Sequence, residues 1–342
     1  MYSYRADCAQ MFKGKEHKEE TQMKILGISY GTLNGGNDTM VKEALMGAQE
    51  VGAEIEFINV NTLNILHCTG CKACVMGLFS GRGNDCILKD DMQWLTDKMY
   101  EADGLVFSVP IFEKCATGLF HTTMDRFGPR MDRGNLMIAQ KIAENGGKPI
   151  DPKYLKEMAV SYMAVGGSDW ATRVQADCAT QALTPKWTLI HNDYFQWSLG
   201  IMMNDEYLAK AHQIGIDTAE AAKKILEGTT EIPLGITGPE YKSDPGICPH
   251  CHSKNFYLEE DGKAICCLCG LEGKIEVVDG KYQFIFPEDT LPHAHDTITG
   301  KFIHGDDIQN NEKSSRAKLA SDEMKARKKK YMEFIQPTKP QA

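Results

Sequence analysis

The chain of 342 residues lacks any apolar stretch that approaches the roughly 20 residues needed to span a bilayer. Its N-terminus also lacks the apolar segment of a secretory signal. An excess of positive charge is missing as well. The formal net charge is -9, whereas binding to the phosphate backbone of nucleic acid requires a basic surface. The sequence therefore predicts a cytoplasmic protein that binds neither membranes nor nucleic acid.

Two kinds of catalytic arrangement are also missing. No Ser-His-Asp set and no pair of carboxylates stands out, which disfavours hydrolysis. Cysteine, in contrast, is abundant, with 12 residues. Because a reducing compartment keeps thiols free, these cysteines are better explained as metal ligands than as disulfides.

Apolar runs and helical periodicity alternate between Met23 and Gly228. The predicted strands cover residues 24–29, 54–60, 104–109, 157–165 and 187–197. The predicted helices cover residues 38–52, 90–102, 117–126, 171–183 and 205–227. This alternation predicts an α/β fold with a doubly wound, parallel, five-stranded sheet, which binds ligands beyond the carboxyl ends of its strands.

The composition changes after Gly228, where three prolines mark a linker. We therefore divide the chain into four segments: a tail or arm (1–22), a sheet domain (23–240), a small module (245–286) and a C-terminal arm (287–342). The sheet domain contains a cysteine loop at 67–87, and the arm contains a charged helix over about 311–334. The connection 128–156 is long, and such loops are usually functional or interfacial.

The loop from Ser29 to Thr39 reads Ser-Tyr-Gly-Thr-Leu-Asn-Gly-Gly-Asn-Asp-Thr. Its glycines expose backbone N–H groups, its hydroxyls can donate, and a helix begins directly after it. These features suit a phosphate monoester. A polar turn that caps a helix explains them equally well.

Two groups of cysteines have the spacing of metal ligands. Cys68, Cys71 and Cys74 are two residues apart, and with Cys86 they can surround an iron–sulfur cubane, although bare thiols and zinc are alternatives. The second group consists of two Cys-x2-Cys pairs and predicts a tetrahedral site, either structural zinc or a rubredoxin-like iron centre. Its ligands are Cys248, Cys251, Cys266 and Cys269. A module of about 40 residues needs such a staple to fold.

Four motifs follow one another along the chain: the loop from Ser29 to Thr39, the cysteine triad, Ser108-Val-Pro-Ile-Phe112 and Met124-Asp-Arg126. Their order resembles the NADPH-dependent FMN reductase family, in its iron–sulfur flavoprotein branch. The resemblance implies a flavodoxin-like fold that binds FMN noncovalently, with a [4Fe-4S] cluster on Cys68, Cys71, Cys74 and Cys86. The implied FMN contacts are Ser29, Thr32, Asn34, Asn37, Thr39, Pro110, Ile111, Phe112, Gly166 and Gly167.

This sequence departs from the family at two points. The phosphate loop has no basic residue, and 11 residues separate Cys74 from Cys86, more than in the compact motif of that branch. We also expect the turn from Ala116 to Gly118 to bring backbone amides to the flavin, and Asp125 and Arg126 to form a structural ion pair.

Together these features predict an FMN-dependent oxidoreductase that transfers electrons between NAD(P)H or a ferredoxin-like donor and an acceptor, through FMN and the cluster. We expect a homodimer or homotetramer. One alternative is a reductase for an enone, quinone or nitroaromatic that has no cluster. Another is a noncatalytic redox sensor or scaffold whose zinc ribbon binds a partner.

Overall fold

The computed structural model describes residues 22–228 and 246–338. The N-terminal tail predicted for 1–22 and the linker prolines lie almost entirely outside this part of the chain. The strands of the first domain are β1 (Lys24–Ser29), β2 (Glu54–Asn59), β3 (Gly104–Phe112), β4 (Cys115–Ala116), β5 (Ala159–Val165) and β6 (Thr188–Phe195). Its helices are α1 (Gly36–Glu50), α2 (Ala73–Phe79), α3 (Met92–Glu101), α4 (Gly118–Met124), α5 (Gly128–Met131), α6 (Arg133–Glu144), α7 (Val174–Leu183) and α8 (Asp205–Glu227).

The five long strands are parallel, in the order β2-β1-β3-β5-β6. This confirms the predicted flavodoxin-like, doubly wound sheet. The short β4 is an addition, since it pairs antiparallel with the end of β3. No helix in the described ranges is long and apolar enough to cross a membrane.

Helices α1 and α8 pack closely against each other. A Cβ atom on Gly215 of α8 would lie 1.7 Å from the Ala44 carbonyl oxygen of α1. A Cβ on Gly47 would similarly lie 2.1 Å from the His212 carbonyl oxygen. The two backbones can approach this closely only because glycine has no side chain at either position, so the middle of α1 is fixed against α8.

The other face of the sheet is packed with aromatic rings. Phe107 of β3 stacks on Tyr162 of β5, with ring centroids 4.9 Å apart and an interplanar angle of 9°. Trp187 lies beside Phe107 at 6.3 Å. All three side chains are buried, so this cluster anchors the strands whose carboxyl ends carry the predicted flavin contacts.

The connection 128–156 is not an open loop, because α5 and α6 fill most of it. Asp132 caps α6 by accepting a hydrogen bond from the Asn135 amide at 2.9 Å. Arg133 is 8% exposed and donates to the carbonyl oxygens of Pro185 and Lys156. These bonds fasten the insert to the sheet domain.

The C-terminal module is an antiparallel sheet of four strands in the order β10-β9-β8-β7. The strands are β7 (Phe256–Leu258), β8 (Lys263–Cys266), β9 (Glu272–Val278) and β10 (Lys281–Ile285), and the arm that follows contains α9 (Ile298–Ala320) and α10 (Asp322–Phe334). The prediction of a single arm helix over about 311–334 is therefore wrong. The arm becomes helical earlier because Thr297 caps α9, and it breaks where Ser321 caps α10.

The module, the arm and the insert are joined by polar contacts. His250 of the module lies 2.7 Å from the Asp296 carboxylate. Lys301 of α9 donates to Asp132 of the insert at 2.9 Å, although its side chain is only 7% exposed. Leu268 of the module also packs against the aromatic core of the sheet domain. The described part of the C-terminal module and arm therefore lies directly on the sheet domain.

Candidate functional site

The loop between β1 and α1 leaves backbone amides available to an anion. Its N-cap residue, Gly35, provides no side-chain hydrogen bond to the first turn of α1. A Cβ atom on Gly31 would lie 2.5 Å from the Cβ of Asn37, so the loop folds tightly only with glycine there. Thr32 and Asn34 are exposed at the rim, and Ser29 is buried at the end of β1. The geometry fits the phosphate of FMN.

A buried hydrogen-bond network holds this loop from beneath. The Asp38 carboxylate accepts from the Asn34 amide at 2.6 Å and from the Asn59 side chain at 2.7 Å. Asn59 and Asn61 each donate to the Gly31 carbonyl oxygen. Because both carboxylate oxygens of Asp38 are engaged, the network fixes the shape of the loop rather than binding a ligand.

One basic side chain reaches the loop from outside the predicted motif. Lys42 lies in the second turn of α1, and its Nζ is 3.5 Å from the Asn34 Oδ1. Lys42 lies outside the loop motif, so the motif gives no signal for it. Its position, four residues after Asp38, places it on the same helix face as that residue of the first turn.

The predicted flavin contacts of β3 and β5 lie side by side at the carboxyl edge of the sheet. Pro110 and Val165 are partners in the parallel ladder. A Cβ atom on Gly166 would come within 3.1 Å of Ile111, so this glycine permits the close approach of the two loops. Asn37 of the phosphate loop donates to Ser108 at 2.9 Å. The structure therefore brings the three predicted segments together.

The hairpin between β3 and β4 has a strained turn. Glu113 and Lys114 have φ values of +48° and +69°, a region that non-glycine residues seldom adopt. Asp177 of α7 accepts a hydrogen bond from the Ala116 amide at 2.9 Å, and the Thr117 amide donates to Pro110 at 3.1 Å. The expectation that the turn brings its amides to the flavin is therefore wrong for Ala116 and Thr117, whose amides fasten the hairpin, and it stays a prediction for Gly118.

Large apolar side chains surround this edge of the sheet. Phe112 is 64% exposed, and Trp197 is 67% exposed. Trp170, Leu199 and Met203, from the loops after β5 and β6, are also exposed. An exposed apolar surface of this kind marks a ligand or protein contact.

The loop cysteines are partly open to solvent, and Cys74 is close enough to Cys71 and Cys86 for their charges to interact. Cys68 and Cys71 are exposed, whereas Cys74 and Cys86 are half-buried. Burial raises the pKa of Cys74, while a hydrogen bond from the Ala73 amide lowers the pKa of Cys71. Within the described residues these thiols do not form the tight group that a single ion requires. A cubane does not require one, since each thiolate binds a different iron.

A buried arginine braces this cysteine loop. Arg126 pairs with Asp90 at 2.5 Å, and it also donates to the Leu66 carbonyl oxygen and to the Cys86 Sγ. Burial opposes the charge of Asp90, but the bonds from Arg126 outweigh it and hold the pKa of Asp90 below its ordinary value. The predicted ion pair of Arg126 with Asp125 is therefore wrong.

The C-terminal cysteines form a closed tetrahedral set. The sulfurs of Cys248, Cys251, Cys266 and Cys269 lie within 4.8 Å of one another, and all four residues are buried. This spacing fits a single ion with Zn–S bonds of about 2.3 Å. The set is consistent with a metal-binding module, as the spacing of the pairs predicted.

Both cysteine pairs are built as matching knuckles. The residue after each pair, His252 or Gly270, has a positive φ of 60° or 75°. Its amide donates to the carbonyl oxygen of the first cysteine, Cys248 or Cys266, at 2.9 or 3.0 Å. The absence of glycine after the first pair therefore does not prevent a knuckle.

The thiols of this set cannot all ionise unaided. The contact with Cys248 is the largest influence on its neighbours: it lowers the pKa of Cys266 and raises the pKa of Cys251 and of Cys269. A divalent cation at the centre would remove this conflict, because it stabilises every thiolate at once.

Comparisons with known proteins agree with this geometry. The model of the family "NADPH-dependent FMN reductase" matches residues 23–197. An iron-sulfur flavoprotein from Methanocaldococcus jannaschii is 28% identical over 164 residues, which cover 45% of this chain and 80% of the relative. Another from Archaeoglobus fulgidus is 28% identical over 214 residues, which cover 60% and 94%.

A solved structure described as a flavone reductase is more similar. It is 53% identical, has a TM-score of 0.80, and its match covers 93% of this chain and 100% of its own. A match of that extent includes most of the C-terminal module and arm.

We predict that Cys266→Ser removes the metal from the C-terminal module, because it deletes one of four ligands of a closed site. Structural zinc contributes about 10–16 kcal/mol in zinc-finger peptides, so the variant should also lose the cooperative unfolding of this module. Elemental analysis would measure metal per chain. The control is Cys267→Ser, at the neighbouring exposed cysteine outside the set. An equal metal content in both variants would contradict the assignment.

Proposed function

Since the chain belongs to the NADPH-dependent FMN reductase family and is an FMN-dependent oxidoreductase, we propose that it reduces the conjugated carbon–carbon double bond of a flavone-like enone. NAD(P)H is the proposed electron donor. The observation that carries this proposal is the 53% identity to the flavone reductase over 93% of the chain. The two iron-sulfur flavoproteins are 28% identical and cover 45% and 60% of the chain.

The proposed reaction is balanced by NAD(P)H and one proton. The donor loses a hydride, and the enone gains that hydride at one carbon of its double bond and a solvent-derived proton at the other. Bound FMN supplies the hydride-transfer chemistry for both half-reactions. The residues of the chain hold the cofactor and exclude water from its exposed face.

The predicted FMN contacts keep their roles in this proposal. Ser29, Thr32, Asn34, Asn37 and Thr39 hold the phosphate with hydroxyls, amides and the α1 N-terminus, and Lys42 adds the positive charge that the loop itself lacks. The isoalloxazine would lie along Pro110, Ile111 and Phe112, with Gly166 and Gly167 at its other edge. The contact of Gly166 with Ile111 supports this arrangement.

We predict that Lys42→Met weakens FMN binding by about 1 kcal/mol, the upper range for an exposed ion pair, and leaves riboflavin binding unchanged. Riboflavin lacks the phosphate that Lys42 would approach. Quenching of flavin fluorescence measures both affinities. The control is Lys223→Met, at an exposed lysine of α8. A loss of riboflavin affinity equal to the loss for FMN would show that Lys42 has no part in phosphate binding.

We predict that the FMN-loaded protein, kept anaerobic, consumes NAD(P)H in the presence of a hydroxylated flavone and yields a product with two additional hydrogens. Absorbance follows the nucleotide, and mass spectrometry follows the flavone. A quinone and a nitroaromatic serve as competing acceptors. Rapid reduction of these two without any reduced flavone would contradict the enone assignment.

A second candidate function is electron transfer through an iron–sulfur cluster at Cys68, Cys71, Cys74 and Cys86, with a ferredoxin-like donor in place of NAD(P)H. The observation in its favour is the braced cysteine loop, where Arg126 donates to Cys86. The cationic arginine would stabilise a thiolate at this position. A [4Fe-4S] cluster is the form that this candidate requires.

We predict that protein purified anaerobically contains iron and sulfide that the Cys71→Ser variant loses, while FMN content stays the same. Cys267→Ser, outside the loop, should retain both elements. Iron, sulfide and flavin assays per chain, with the visible spectrum before and after dithionite, provide the measurement. If wild-type protein binds FMN without iron or sulfide, the cluster is absent and only the enone reductase remains.

Two further features belong to the same proposal. The closed, buried set of Cys248, Cys251, Cys266 and Cys269 has the form of a structural site, because it leaves no open coordination position, and structural zinc is the ion that we propose for it. The apolar rim around Phe112 and Trp197 would be covered by a second copy of the chain in a homodimer or homotetramer.

A further inference from the structure

A cleft of about 770 Å³ lies between the C-terminal module and the sheet domain. Helix α7 and the edge strand β6 form its floor, and the segment that follows Cys251 forms its roof. This volume falls within the range of small-molecule sites, about 300–1,000 Å³. None of the predicted FMN contacts lines it.

The cleft combines a flat apolar floor with neutral polar groups. Ala176, Ala179 and Leu189 lie on the floor, and Leu268 reaches it from the module. The polar lining is mostly amide and hydroxyl: Gln175, Asn192, Tyr194, Gln196, Ser253 and Asn255. Lys254 and Asp169 add one charge of each sign. This lining suits a planar aromatic compound with several hydroxyl groups rather than a phosphate or a metal ion.

One buried acceptor in the cleft has no donor. The side-chain nitrogen of Asn192 donates to the Gln175 carbonyl oxygen at 2.8 Å, which fixes the orientation of the amide. Its Oδ1 is buried and accepts no hydrogen bond from the described residues. An unsatisfied buried acceptor costs about 1–3 kcal/mol, so a ligand hydroxyl at this position would be favourable.

The cleft also extends to the flavin edge of the sheet. Asp169 follows the Gly166–Gly167 turn by two residues and lines the cleft. Gln196, at the same end, directly follows Phe195, whose carbonyl oxygen accepts from the Gly166 amide at 2.9 Å. A ligand at this end therefore lies beside the loop that the flavin would border.

We propose that this cleft binds the hydroxylated aromatic portion of a flavone-like substrate, with Asn192 accepting a hydrogen bond from a phenolic hydroxyl. The inference rests on the proposed function, because it assigns the substrate site of the same reaction. It gives the C-terminal module a direct role: the cysteine knuckle holds Ser253, Lys254 and Asn255 over the substrate. The metal site thereby fixes the roof of the cleft.

The test is calorimetric titration of a hydroxylated flavone into the FMN-loaded full-length protein without NAD(P)H. Ala176→Trp fills the floor of the cleft and should weaken binding at least about tenfold, or 1.4 kcal/mol. The matched control is Thr180→Trp, one turn further along α7 at an exposed position outside the cleft. It should bind as the wild type does. FMN content should be the same in all three proteins.

A second variant tests the hydrogen bond. Asn192→Leu should weaken binding of the hydroxylated flavone and leave that of unsubstituted flavone nearly unchanged, since only the former has a hydroxyl to donate. Wild-type affinity in Ala176→Trp, or no binding to the wild type, would overturn the proposal. Binding that Ala176→Trp abolishes, without any reduction of the flavone when NAD(P)H is added, would support the cleft and overturn the proposed function alone.

Discussion

The four buried cysteines of the C-terminal module impose the constraint on which much of this structure depends. Their sulfurs lie within 4.8 Å of one another, so the charges of their thiolates repel unless a cation lies between them. The module has a small core of its own, and the four cysteines make up half of its eight buried members. We therefore expect the fold of the module, and the surfaces that it covers, to depend on a bound cation.

That constraint extends beyond the module. The knuckles place Leu268 against the aromatic core and Ser253 above α7, so the edge of the sheet domain is covered rather than open. The arm is held by the ion pair of His250 with Asp296, and the insert by Lys301 with Asp132. The small module thus joins the sheet domain, the arm and the insert, which are distant in sequence. It lies next to the end of the sheet where the cofactor would bind.

At that end of the sheet the chain concentrates its unusual backbone. The turn at Glu113 and Lys114 is strained, and its conformation is held by the bond from Ala116 to Asp177. Strain of this kind persists only where the surroundings fix it, and it is common at binding sites. The phosphate loop differs: a side chain at Gly31 would clash with Asn37, and no side chain caps the first turn of α1, so the amides of that turn stay available.

Local sequence determined the elements whose signals are short-range. Periodicity placed β1 and α8 at their observed bounds, and cysteine spacing identified the buried tetrad, because both depend on residues close in sequence. Only the tertiary structure decided which groups meet across the fold. It paired Arg126 with Asp90 instead of Asp125, directed the Ala116 amide to Asp177, and enclosed a cleft between α7 and the module. These contacts join residues tens of positions apart, so the packing of whole elements selects them.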